Sequence, residues 1–156
     1  MNQKEIDKLK EVRQLAEELI ARYCPTFKFD FDNSKRRLGL CSFRKQKITV
    51  STFYSLNLEE KFIKDVILHE IAHAMLPSYI GHDWRWKKQA REIGCTATRT
   101  FAPSIRPPSK YKTTCPNCGK EGFSYRKFTS ACRNCCERYS GGRYDEKYKL
   151  IWEKLS

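Results

Sequence analysis

The chain contains three histidines, and two of them stand four residues apart with a glutamate directly after the first: His69-Glu70-Ile71-Ala72-His73. Residues four apart share a face on a helix, so this spacing asks for one here. The surroundings agree. Phe62, Ile63, Val66, Ile67, Ile71, Ala74 and Met75 form a broad apolar face, and Pro77 ends the run. Asn57 is expected to cap the helix, with Glu60 completing something close to a capping box. His82, the third histidine, follows just past Gly81, where the chain can turn back toward the first two. Zinc-assisted hydrolysis needs these parts: ligands that leave a position open, a water of lowered pKa and a carboxylate to take its proton. His69, His73 and His82 are therefore the candidate ligands of a catalytic zinc, and Glu70 its general base. Core histidines satisfied by hydrogen bonds would not cluster at this spacing.

A second constellation lies further on. Cys115-Pro116-Asn117-Cys118 and Cys132-Arg133-Asn134-Cys135 are two C-x-x-C knuckles separated by thirteen residues. Four thiolates in two such turns enclose a tetrahedral zinc and leave no open position, so this second zinc is expected to be structural. It would fold a segment too small to bury a core of its own. Cys136 adjoins Cys135 and makes the register ambiguous; Cys135 preserves the two-residue gap, leaving Cys136 as the spare. Cys24, Cys41 and Cys95 stand alone and read as small buried hydrophobes.

The remaining chain supplies scaffolding. Ile6, Leu9, Val12, Leu15, Leu19 and Ile20 predict a helix over about 3–22, ending before Pro25. Phe27, Phe29 and Phe31 alternate with polar residues as a strand with one buried face does. Leu38–Phe43 and Ile48–Val50 flank a polar turn and read as a hairpin. A further helix is expected after His82, with Asp83 near its first turn and Gly94 beyond its end. Residues 99–113, with Pro103, Pro107 and Pro108 among basic residues, read as an extended linker. Residues 145–155 suggest a short terminal helix.

Charge divides the chain unevenly. The formal net charge is +13; residues 1–83 hold 14 Lys and Arg against 12 acidic residues, and residues 84–156 hold 17 against 6. Such asymmetry points to a polyanion, most simply nucleic acid. Arg106, Lys110, Lys112, Arg126, Lys127, Arg133, Arg138 and Arg143 are the candidate phosphate contacts, with Tyr125, Phe128, Tyr139 and Tyr144 interleaved to stack on bases. Phe123, Tyr125 and Phe128 have a competing reading as the minimal core of the ribbon. No apolar run is long enough to span a bilayer, and the N-terminus lacks the apolar core of a signal peptide. A cytoplasmic, nucleoid-associated protein is expected.

Taken in order, the helix, the hairpin, His69-Glu70-x-x-His73, Gly81-His82 with the tryptophan after it, and the four-cysteine ribbon resemble the SprT-like metalloproteases. The resemblance runs over about residues 5–145 and extends to Leu38-Gly39, Ile48-Thr49-Val50-Ser51 and Val66-Ile67-Leu68. The family includes the Spartan-type proteases, which digest proteins covalently trapped on DNA. Resemblance implies an α+β, zincin-like domain over 1–98, the basic linker at 99–113, a Cys₄ zinc ribbon at 114–145 and a tail at 146–156. It implies two Zn²⁺ ions, one catalytic and one structural. The expected partners are DNA, single-stranded or at a single/double-strand junction, and DNA-bound protein substrates, the protease itself being a monomer. Two other functions fit the same sequence: a catalytically silent DNA-binding regulator, and a general metallopeptidase indifferent to DNA.

Overall fold

The computed structural model describes residues 1–98, 105 and 107–155. The chain divides into two compact units, Met1–Arg106 and Pro107–Ser156. Among the described residues no helix is long and apolar enough to cross a membrane.

The first unit begins with α1 (Gln3–Tyr23), opened by a reciprocal capping box between Asn2 and Glu5. Its inward stripe, Val12, Ala16 and Ile20, recurs every four residues and is buried. Three strands follow: β1 (Lys28–Asp32), β2 (Gly39–Ser42) and β3 (Lys47–Ser51). The hairpin forms as its sequence suggests, β2 running antiparallel to β3 around a turn in which Gln46 takes a positive φ of 44°. Strand β1 then pairs parallel to the other side of β3, with Phe29 opposite Ile48 and Phe31 opposite Val50. The order β1-β3-β2 leaves β2 on an edge. Central β3 carries Ile48 and Val50, both fully buried.

Asn57 does not cap the long helix. Ser51 caps earlier, its hydroxyl accepting from Tyr54 N, and a separate short helix α2 (Thr52–Asn57) forms first. Asn57 is the last residue of α2, and its side-chain amide donates to the Phe53 carbonyl. The Lys8 ammonium donates to the carbonyls of Leu56 and Leu58, satisfying acceptors that the end of α2 leaves open. Helix α3 (Glu60–Ala74) starts after this break with Glu59 as N-cap and no side-chain cap bond. It buries Ile63, Val66, Ile67, Leu68, Ile71 and Ala72 in the core shared with α1 and the sheet. Helix α4 (Trp84–Glu92) is capped by Asp83, which accepts from Arg85 N and Trp86 N, and Gly94 beyond its end has φ 87°.

The second unit has its own three-stranded antiparallel sheet, ordered β5-β4-β6: β4 (Tyr111–Thr114), β5 (Glu121–Ser124) and β6 (Ile151–Lys154). Strand β4 thus begins inside the segment expected to be linker. Helix α5 (Arg133–Tyr139) starts at the second knuckle. The expected terminal helix is absent. A single 3-10 turn, Glu146–Tyr148, gives way to β6, which sets Trp152 opposite Thr113. An isolated helix that short is marginal in water, whereas β4 offers a row of unpaired backbone donors and acceptors beside it. Ladder bonding decides the outcome.

Candidate metal centres

Helix α3 carries His69 and His73 one turn apart. After Ala74 the chain folds back through a turn in which Ile80 N donates to the Pro77 carbonyl, and buried Ile80 anchors it. His82 arrives just ahead of the Asp83 cap of α4. Its Nε2 lies 3.0 Å from Nε2 of His69 and 3.0 Å from Nε2 of His73. Zn–N bonds of 2.0–2.1 Å in a tetrahedron place ligand nitrogens about 3.3 Å apart, so the two separations His82 makes match a shared zinc within a few tenths of an ångström. One ring nitrogen from each of the three histidines lies within 4.8 Å of the other two.

Trp86 is the floor beneath them. Fully buried on α4, it sets its ring centroid 4.5 Å from His69, 5.3 Å from His73 and 4.6 Å from His82. Nothing in the expected helix after His82 singles out Trp86 for this role; its position four residues beyond His82 is the available signal. Burial, with the neighbouring rings, pulls the His69 and His73 imidazoles down to about 4. They are neutral at physiological pH, the form that ligates metal.

Glu70 sits on the same helix, turned toward β2. Burial pushes its carboxyl up to about 7, opposed by a backbone hydrogen bond from Cys41 and the positive charge of Arg37. Burial thus disfavours the charged carboxylate and favours its uptake of a proton. Gly39 permits the close approach of β2: a Cβ there would lie 2.9 Å from Glu70 Cγ and Oε1. This dependence on glycine was not read from the sequence.

In the second unit Cys115 and Cys118 flank a turn closed by Gly119, whose N–H donates to the Cys115 carbonyl at a φ of 68°. Cys132 is the N-cap of α5 and Cys135 lies in its first turn. Cys115 Sγ is 3.7 Å from Cys135 Sγ, and Cys118 Sγ is 3.7 Å from Cys132 Sγ. Zn–S bonds of 2.3 Å imply about 3.8 Å; the four sulfurs fit a closed site. Cys136 is buried but outside this set. The Asn117 amide and Cys118 N–H donate to Cys135 and Cys115 sulfur, respectively, as groups beside a thiolate site do. This unit's buried cluster is Cys115, Cys132 and Cys135, packed by Tyr148 and Leu150. Phe123 and Phe128, read in one alternative as its core, are exposed.

The candidate phosphate contacts divide. Lys112 pairs with Glu121, and Arg133 with Glu137. The Lys110 ammonium lies 4.6 Å over the Tyr125 ring. Arg126, Lys127, Arg138 and Arg143 are exposed, as are Tyr139 and Tyr144. Arg106 lies outside the described residues, with Arg99 and Pro103.

The SprT-like family model matches residues 9–107. The metallopeptidase zymogen jannalysin of Methanocaldococcus jannaschii is a solved structure to which this chain is similar. It has a TM-score of 0.48 and 16% identity, over 55% of this chain and 83% of that one. No curated protein matches the chain in sequence.

Proposed function

We propose that this chain, which belongs to the SprT-like family, is a zinc-dependent endopeptidase that cleaves proteins associated with DNA, including proteins crosslinked to it. The observation that carries the proposal is the grouping of three imidazole nitrogens, two of them from the helix that also carries the Glu70 carboxylate. His69, His73 and His82 would hold the catalytic zinc, and Cys115, Cys118, Cys132 and Cys135 the structural one. When bound, the catalytic ion supplies Lewis-acid polarisation of a peptide carbonyl and acidifies a water. The chain's own residues do the rest. Glu70, raised toward neutrality, accepts a proton and delivers it to the departing amine. The Cys41 N–H holds that carboxylate in place. Trp86 touches all three imidazole rings, stacked on His73 and tilted or edge-on to the other two, and limits their rotation.

Exposed Arg126, Lys127, Arg138 and Arg143, with Tyr139 and Tyr144, support recruitment to DNA through phosphate and stacking contacts. A protease localised on its substrate's template is restrained elsewhere. The test incubates the zinc-loaded protein and its Glu70→Gln variant with a DNA-binding protein, with and without single- and double-stranded DNA. Cleavage requiring both Glu70 and DNA is expected, Glu70→Gln losing about 10²–10⁴-fold in rate. Glu70-dependent cleavage indifferent to DNA would instead mark a general peptidase. DNA binding with no cleavage in any condition would mark a regulator built on a protease scaffold.

A further inference from the structure

Beyond α4 the chain does something costly. Gly94 turns in the left-handed region, Cys95 N bonds back to the Ala90 carbonyl, and residues 95–98 then run against α3. Ala97, buried and not a glycine, also adopts a positive φ, 56°. Residues with a Cβ rarely accept this region, and persist there only when their surroundings over-determine it. The surroundings are unusually specific. Asp65 lies one helical turn before His69 on α3. Its Oδ1 accepts from Thr96 N at 2.7 Å and its Oδ2 from Thr96 Oγ1 at 2.7 Å. Its carbonyl accepts from Cys95 Sγ at 3.7 Å. Thr96 Oγ1 is also 3.1 Å from Thr98 Oγ1. Thr98 closes the circuit: its backbone carbonyl accepts a hydrogen bond from the His69 ring. Because His69 Nε2 faces His82, the nitrogen left for that bond is Nδ1.

We propose that Asp65 is a positioning residue for the first metal centre, clamping Thr96 so that the strained Ala97 turn holds the Thr98 carbonyl on His69 Nδ1–H. The proposal rests on the three imidazoles binding a metal. A metal-ligating histidine needs its second ring nitrogen fixed by an acceptor, which sets the tautomer and the ring's orientation. Here that acceptor sits on an irregular segment with no regular ladder to hold it. Asp65 supplies the missing constraint by a two-pronged bond, and places it one turn from the ligand it serves. The clamp also explains the backbone strain: relaxing Ala97 would swing the Thr98 carbonyl away from the ring.

The test titrates cobalt into the full chain, the thiolate-to-cobalt charge-transfer bands distinguishing the cysteine site from the imidazole site. Asp65→Ala is expected to weaken cobalt at the imidazole site by about 10–100-fold, with the cysteine site unchanged. Asp65→Asn keeps an acceptor for Thr96 N–H and recovers most of that loss. Thr96→Val, which removes one prong, falls between. In ¹⁵N spectra of the zinc-loaded protein, the slowly exchanging Nδ1–H of His69 disappears in Asp65→Ala. Unchanged affinity in Asp65→Ala overturns the proposal. So does an Asn variant as weak as Ala, which would assign the effect to charge, or equal losses at both sites, which would mark general unfolding. Should Asp65→Ala not fold, Thr96→Val decides: an unchanged imidazole site overturns the clamp and a weakened one supports it. A wild-type chain that takes no metal at its imidazoles would refute the proposed function instead.

Discussion

Replacing Gly39 with alanine puts a methyl group where the structure has room for a hydrogen. The new Cβ would stand 2.9 Å from Glu70 Cγ, 2.9 Å from Glu70 Oε1 and 3.1 Å from Val66 Cγ1. Carbon atoms in contact sit about 3.5–4.0 Å apart, so the Glu70 side chain must retreat by roughly 0.6–1 Å. Its carboxylate is tied to the Cys41 backbone on the same strand, and that bond is strained or lost with the movement. The φ of Gly39 is not in the left-handed region, so the substitution acts through contact and not through backbone strain. Overpacking costs about 1–3 kcal/mol, and the stiffer unfolded chain returns about 0.4–1 kcal/mol. A net loss of about 1–2 kcal/mol leaves a folded protein. A misplacement near 1 Å at a catalytic group costs on the order of 10²-fold, so kcat/KM should fall about 10–100-fold. Metal affinity at the imidazoles should hold, because the methyl meets Glu70 and Val66 and no histidine. Peptidase assay and cobalt titration of the same preparation separate these effects. Full activity in a folded Gly39→Ala protein would refute the claim that β2 and Glu70 are mutually fitted.

Three further outcomes are expected. Ile67→Ala opens a cavity where the side chain is fully buried in the core of the first unit, and should cost about 2–5 kcal/mol in denaturant unfolding. Burial raises the thiols of Cys24 to about 11, Cys41 to about 12 and Cys95 to about 11. A thiol in the unfolded chain ionises near ~8.5. These groups therefore favour the folded state below that pH, and stability should fall as pH rises through about 9 to 12; peptide mapping after alkylation should show buried Cys24 and Cys95 protected in the native protein and reactive in urea, with half-buried Cys41 between. Stripping zinc with a chelator should abolish amide-exchange protection in β4, β5 and β6 while α1 and α3 remain protected, since the second unit's buried cluster is largely its cysteines. A ribbon that keeps its protection without zinc would contradict that reading.

Local spacing points to the chemistry proposed for this protein. Two histidines at i and i+4 with a glutamate between them need only the helical period to share a face, and a C-x-x-C knuckle closes within one turn. Both candidate ligand clusters, the helices α1 and α4 and the hairpin were legible for that reason. Tertiary structure decided what depends on partners distant in sequence. Asn57 lost the capping role because the helix opened at Ser51 takes it into its own last turn, where its side-chain amide is committed to the Phe53 carbonyl. Residues 151–154 became a strand because β4 had an open edge. The parallel pairing of β1 with β3, the reliance of Glu70 on a glycine at position 39 and the grip of Asp65 on Thr96 are likewise invisible to any local pattern. A carboxylate or a glycine carries no mark in sequence of the group it will meet thirty residues away, since only closure of the chain into a packed core brings the two within bonding distance.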